Sequence, residues 1–183
     1  MKTRVSGSGV LAAATVVTGL IAGVYYAFAC SVMLGLGASS DRTFVEAMQN
    51  INKKIENPLF FLTFFGALVL SAWALRTYRH DHRLRLWIAA GLVLYTIGLL
   101  TTMAVNVPLN NQLANAGAAA KIADPAAVRA RFEDTWNAWN IARALLSTGA
   151  AACLARALLL AGRHGNAPQP QAAPAQQRTW SAV

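Results

Sequence analysis

Six polar side chains in an otherwise apolar chain could form one site: Asn57, Asn106, Asn110, Asn137, Asn140 and Arg143. Asn106 and Asn110 are four apart, so they share a helix face if the helix survives Pro108, with Thr102 one turn deeper. At about 100° per residue, Glu133, Trp136, Asn137, Asn140 and Arg143 fall within an arc of about 120° on a second helix. That face carries an acid, an indole, two amides and a guanidinium. Polar groups inside a membrane are costly and tend to mark function. Any one of them also suits a bland role, as an interfacial tryptophan or as an amide bridging neighbouring helices. Arg143 is expected to face the interior and to pair with Glu56, Glu46 or an anionic ligand.

The metal-binding residue types lie elsewhere. His80, His82 and His164 fall in a basic loop or the tail, and no apolar run contains a histidine. A haem, copper or His-ligated di-iron centre among the spans is therefore disfavoured. Cys30 and Cys153 belong to no CxxC or Cys/His cluster, so no zinc site or disulfide framework is indicated. No metal ligand and no cofactor are expected.

The elements that must position these residues are membrane spans. Only 13% of the 183 residues are charged and 56% are hydrophobic, whereas soluble domains carry roughly a quarter charged residues. The mean hydropathy is +0.40. Four apolar runs are long enough to cross a bilayer, at about 10–36, 58–78, 86–107 and 139–161. The first is 27 residues long, longer than a signal h-region of about 7–15, so it reads as a retained helix. Its Gly19 and Gly23 form a GxxxG that could mark a helix contact within the bundle or in a homo-oligomer.

Between the first two runs, Ser39, Ser40 and Asp41 are capping residues. Phe44, Met48, Ile51 and Ile55 then recur on one helix face, which predicts an amphipathic helix over about 41–56 that lies on the membrane or caps the bundle. Pro58 suits a first helical turn. Pro108 interrupts the third run, and Asp124-Pro125 starts a helix that leads into the fourth. The fold class is thus all-α: an integral membrane four-helix bundle over residues 1–161, with an amphipathic helix between spans 1 and 2 and a helical loop before span 4. Residues 162–183, rich in Pro, Gln and Ala, are expected to form a disordered cytoplasmic tail.

The formal charge of +9 does not indicate nucleic acid, because the cations flank apolar spans instead of forming a stripe with aromatics. With four spans both termini share a side. That side, with the Arg76–Arg85 loop, holds nine Lys and Arg against one acid; the other side holds seven against six. The compact basic loop favours the first side as cytoplasmic. The expected location is a membrane, a bacterial inner membrane on this reading. The asparagines, Trp136, Trp139 and Arg143 then stand on the outer side.

At these motifs the chain resembles the membrane-bound anthrone oxygenase family. The resemblance rests on Met48-Gln49-Asn50-Ile51-Asn52, Asn57-Pro58 with Phe60, Asn106-Val107-Pro108-Leu109-Asn110, and Trp136-Asn137-Ala138-Trp139-Asn140 with Arg143. It runs from about Gly19 to Ala161. It implies oxidation of a tricyclic phenolic anthrone to an anthraquinone with O₂, without metal or flavin. The partners implied are a hydrophobic aromatic small molecule and O₂, beside membrane lipid, with no nucleic acid.

On that resemblance Trp136 and Trp139 wall the ring system. Asn57, Asn106, Asn110, Asn137 and Asn140 donate to its oxygens, and Arg143 stabilises its enolate. Glu56 or Glu133 is the candidate base, Tyr25, Tyr26 and Phe28 offer an apolar wall, and Met48 and Asn52 complete the substrate-binding set. Other readings of the same residues are a lipophile- or quinone-binding protein without catalysis, a small exporter, and a structural protein. The spans lack a central acid, which argues against proton-coupled export.

Overall fold

The structure, a computed structural model, describes residues 2–165, of which 2–6 and 164–165 are described by backbone alone. Seven α-helices follow one another: α1 (Lys2–Ala27), α2 (Met33–Gly37), α3 (Asp41–Ile55), α4 (Pro58–Thr77), α5 (His82–Thr101), α6 (Val107–Asn115) and α7 (Pro125–Gly165). There is no strand among the described residues. Short π-helical turns, Phe28–Val32 and Thr102–Asn106, join α1 to α2 and α5 to α6. Four stretches are long and apolar enough to span a membrane: Gly7–Gly37, Pro58–Thr77, His82–Asn115 and Pro125–Arg163. The chain is an all-α membrane bundle. Residues 166–183, most of the expected tail, lie outside the described residues.

Within the bundle α7 packs on α1 and α5, and α4 packs on α1 and more loosely on α5. Lipid is as apolar as leucine, so close backbone approach and dispersion hold such helices together. Ala14, Ala67, Ala74, Ala150 and Ala157 are fully buried between them. At Gly91 an added Cβ would lie 3.1 Å from the Ala150 carbonyl oxygen. Of the two contacts Gly19 and Gly23 could mark, within the bundle or between chains, they make none within it: a Cβ at either would meet nothing within 4 Å.

One sequence expectation is revised. Pro108 does not end the third spanning helix. The π turn just before it lets Val107 donate to Thr102, so the backbone absorbs the missing proline N–H and continues as α6. The helical loop expected before span 4 thus begins as α6, and the turn after it uses Gly117 at φ +88°, a left-handed conformation that glycine adopts readily. The fourth helix starts at Pro125, as the Asp124-Pro125 pair predicts, and runs into the fourth span without a break, with the Asp124 carboxylate accepting from the Ala127 N–H at 3.0 Å.

The amphipathic helix α3 caps the bundle at the end away from the α4–α5 loop. Ser40 caps its start, accepting from the Thr43 N–H at 3.3 Å. Phe44, Val45 and Met48 are fully buried in a cluster with Met33, Leu113, Phe132 and Trp136. Each such burial contributes roughly 1.5–3 kcal/mol where the alternative is water. Polar clasps hold the cap down: Arg42 donates to the carbonyls of Ala119 and Ile122, and Gln49 to those of Leu113 and Gly117.

Candidate active site beneath the cap

Trp136, Asn140 and Arg143 lie at i, i+4 and i+7 on α7, one stripe facing the bundle axis. Arg143 is only 4% exposed. Its guanidinium lies 4.4 Å from the Tyr25 ring centroid and 5.4 Å from that of Trp136. It donates to Asn140 Oδ1 at 3.1 Å and to Thr102 Oγ1 at 3.4 Å, while Nε is buried without a partner. Arg143 was expected to face the interior and to pair with Glu56, Glu46 or an anionic ligand. It does face the interior, and no carboxylate lies within ion-pairing distance of it among the described residues, so neither glutamate is its partner.

Both π turns border this arginine. Such turns widen a helix by one residue and recur at functional sites. Just ahead of the first, the Tyr25 carbonyl accepts from Asn140 Nδ2 at 3.1 Å. At the end of the second, Asn106 donates through Nδ2 to the Trp136 carbonyl at 3.2 Å. One α6 turn on, Asn110 Oδ1 accepts from the Trp136 indole N–H at 2.8 Å. The amides therefore lock α7 to the widened turns and fix the arginine between the two rings.

A cavity of about 100 Å³ opens above Arg143. Val24, Tyr25 and Phe28 wall it from the first span, and Phe60, Phe61 and Phe64 from α4. Thr102, Met103, Val107 and Asn110 close the third side, and Trp136, Asn140 and Arg143 form the floor. Ile51, Asn52, Ile55 and Glu56 from the end of α3 and the residue after it form the roof. Phe60 and Phe64 stack with centroids 5.4 Å apart and planes 15° apart. Asn52 Nδ2 is buried without a partner in that roof.

Of the residues singled out from sequence, Tyr25, Phe28, Asn52, Glu56, Asn110, Trp136, Asn140 and Arg143 line the cavity. Asn106 and Asn137 lie outside its lining, and each has a buried, unpartnered Oδ1. Asn57 also lies outside it. Its Oδ1 accepts from the Phe60 N–H at 3.1 Å and its Nδ2 donates to the Lys54 carbonyl at 2.9 Å, so it caps α4. Met48 packs under the cap instead of contacting the cavity. Trp139 and Tyr26 point outward, 43% and 63% exposed. Glu133 is taken by Arg129, which leaves Glu56, exposed at the rim, as the carboxylate of the cavity. Sequence reasoning missed Phe61, Phe64 and Met103. The Phe60-Phe61 and Phe64-Phe65 pairs held the signal, but a spanning helix hides aromatics among equally apolar neighbours.

The arrangement joins two kinds of group. Aromatic faces can take a flat ring system, and a desolvated cation can stabilise an oxyanion. Among the described residues no three His, Cys, Asp or Glu side chains gather as metal ligands.

Residues 46–153 match the family described as anthrone oxygenase. The matched stretch contains the whole cavity except Val24, Tyr25 and Phe28. No curated protein and no solved structure matches the chain.

Proposed function

We propose, from the premise that the chain belongs to the anthrone oxygenase family, that the cavity beneath the cap oxidises a flat phenolic aromatic of the anthrone type with O₂. The family implies an aromatic small molecule and O₂ as reactants. The observation that carries the reading is the buried guanidinium of Arg143 with no carboxylate partner. Arginine does not deprotonate in proteins, and a buried cation without a counter-charge is strongly disfavoured. A substrate enolate supplies the missing charge where it stabilises the reaction most.

The chemistry balances without another oxidant. The methylene opposite the anthrone carbonyl loses one proton to a base, and the negative charge spreads onto the carbonyl oxygen. The enolate passes one electron to O₂, and the resulting radical pair joins through a new C–O bond. Protonation gives a hydroperoxide; loss of water from it leaves the second carbonyl. Anthrone and O₂ thus become anthraquinone and water. Arg143, held by Asn140, faces the enolate oxygen, and the stacked Phe60 and Phe64 with Phe28 and Trp136 sandwich the rings. Asn52 and Asn110 reach peripheral oxygens, and Glu56 at the rim is the candidate base.

The cavity stands at the end of the bundle opposite the basic Arg76–Arg85 loop, which supports an outer location with both termini cytoplasmic. The test is O₂ uptake by the purified protein in lipid nanodiscs supplied with an anthrone. Uptake stoichiometric with anthraquinone, well above autoxidation in empty nanodiscs, is the expected result. A rate equal to the empty-disc background, with the anthrone still bound, would leave a lipophile-binding protein without catalysis.

A further inference from the structure

The cavity is smaller than the substrate proposed for it. Its volume is about 100 Å³, and a cavity of roughly 150 Å³ holds a single benzene ring. Three fused rings need a wall to open. The seam between α4 and α5 is the loose one. Toward the basic loop it is already a groove of about 450 Å³, bordered by Ala72, Leu75 and Arg76 on one side and Arg85, Leu86 and Ala89 on the other. Midway along, the Tyr95 hydroxyl donates to the Phe64 carbonyl at 2.7 Å and ties the two helices together.

Past that tie, toward the cap, Phe61 and Met103 both line the cavity. Phe61 precedes Ala72 by about three helical turns, so it lies on the α5-facing side of α4. Both side chains are also open on the outer surface of the bundle, 41% and 44% exposed. The wall here is thus a phenyl ring and a thioether with lipid behind them. Methionine, unbranched with three rotatable bonds, yields easily. The aqueous side is different. There α3 buries Phe44, Val45 and Met48 completely and is clasped by Arg42, Gln49 and Arg129.

We infer that the substrate, a flat apolar aromatic dissolved in the bilayer, reaches the site sideways through the α4–α5 seam between Phe61 and Met103. This rests on the reading of the cavity as an aromatic-binding site. The rings slide in edge-first along the faces of Phe60 and Phe64, and the oxygen leads toward Arg143. The cap stays closed throughout.

The test uses the full-length chain in liposomes, with Cys30→Ser and Cys153→Ala as background and Thr102→Cys as reporter. Thr102 lines the cavity, with Oγ1 3.4 Å from the Arg143 guanidinium, so labelling at this position reports entry into the site. Two maleimides are compared, one on pyrene that partitions into the bilayer and one on a disulfonated stilbene confined to water. The pyrene reagent is expected to label the reporter while the sulfonated one does not. Phe61→Trp with Met103→Trp, which fills the seam, is expected to slow pyrene labelling by about tenfold or more, equivalent to about 1.4 kcal/mol. Leu62→Trp, on the lipid face beside it, leaves the rate within about twofold.

Labelling by the sulfonated reagent, failure of both reagents, or an unchanged rate in the seam double variant overturns the route. Size-exclusion elution of each variant reports its folding. Oxygen uptake plays no part in this readout. Absence of turnover would therefore defeat the reaction and leave the route standing, and labelling through water would do the reverse.

Discussion

Two arginines on α7 are engaged in opposite ways. Arg129, under the cap, uses all five of its N–H donors: on the carbonyls of Gly37 and Ser39, on Asp41, and twice on Glu133. Its guanidinium also lies 4.6 Å from the Phe44 ring centroid. Arg143, about 21 Å further along the helix at 1.5 Å per residue, makes two hydrogen bonds, both to neutral groups, and leaves Nε empty. The first arginine joins the end of span 1, the cap and α7 into one clasp. The second is held in place by rings and an amide but is left electrically unanswered. On the function proposed above, the fully satisfied cation is a fastener and the unsatisfied one in the same helix is the binding group.

Methionine at each position separates the two roles. Arg143→Met should lower kcat for anthrone oxidation by about 10²–10³, the loss typical of one oxyanion donor. Its thermal midpoint should hold or rise, since apolar replacement of a buried, poorly compensated charge is neutral or stabilising. Arg129→Met should do the opposite. Charge-assisted hydrogen bonds contribute about 1.5–3 kcal/mol, and removing the hub of the clasp should cost about 2–3 kcal/mol of stability. The turnover of the protein that remains folded should change little. Oxygen uptake and thermal unfolding in the same detergent measure both. A larger fall in midpoint for Arg143→Met than for Arg129→Met would erase the distinction.

Asn140→Asp converts the second arginine toward the first. It places a carboxylate where Asn140 Oδ1 now accepts from Arg143 at 3.1 Å, so the guanidinium gains a resident counter-charge. It also removes the donor to the Tyr25 carbonyl. The enolate then competes with a fixed anion, and kcat/KM should fall by about tenfold, or about 1.4 kcal/mol. Inhibition by a phenolate analogue, measured alongside, should weaken in parallel. Unchanged inhibition would mean that Arg143 does not meet the anion.

The four spans, the capping helix and the Asp124 start were legible from sequence because hydropathy and capping act locally. The α7 stripe was legible as well, since 100° spacing is a property of one helix. What escaped was set by contacts between helices. Asn57 reads the same whether it caps α4 or faces a ligand, and only its bonds to Phe60 and Lys54 decide. Trp136 and Trp139 differ by three residues, yet the first packs on Phe28 and Phe132 while the second points outward. The π turns escaped because nothing in a propensity scale marks a one-residue insertion; Pro108 marked one of them only as an interruption.

The smallest change addresses the edge of the comparison. Glu133 shares the α7 face with Trp136 and Arg143 in a helical projection, so it could act as the base, but in the structure it answers Arg129. Glu133→Gln keeps an acceptor for Arg129, and Asp41 still supplies one carboxylate at 3.0 Å. The pair is partly exposed, with side chains 16% and 23% accessible, so screening by water limits its worth to about 0.2–1 kcal/mol. The expected result is a thermal midpoint lowered by a degree or two, about 2–4 °C per kcal/mol at this chain length, with kcat unaltered. Glu56→Gln, at the rim of the cavity, is the matching control and should lower kcat. A Glu133→Gln protein that stays folded but loses turnover would make the clasp part of the chemistry, and the division between the two arginines would have to be drawn elsewhere.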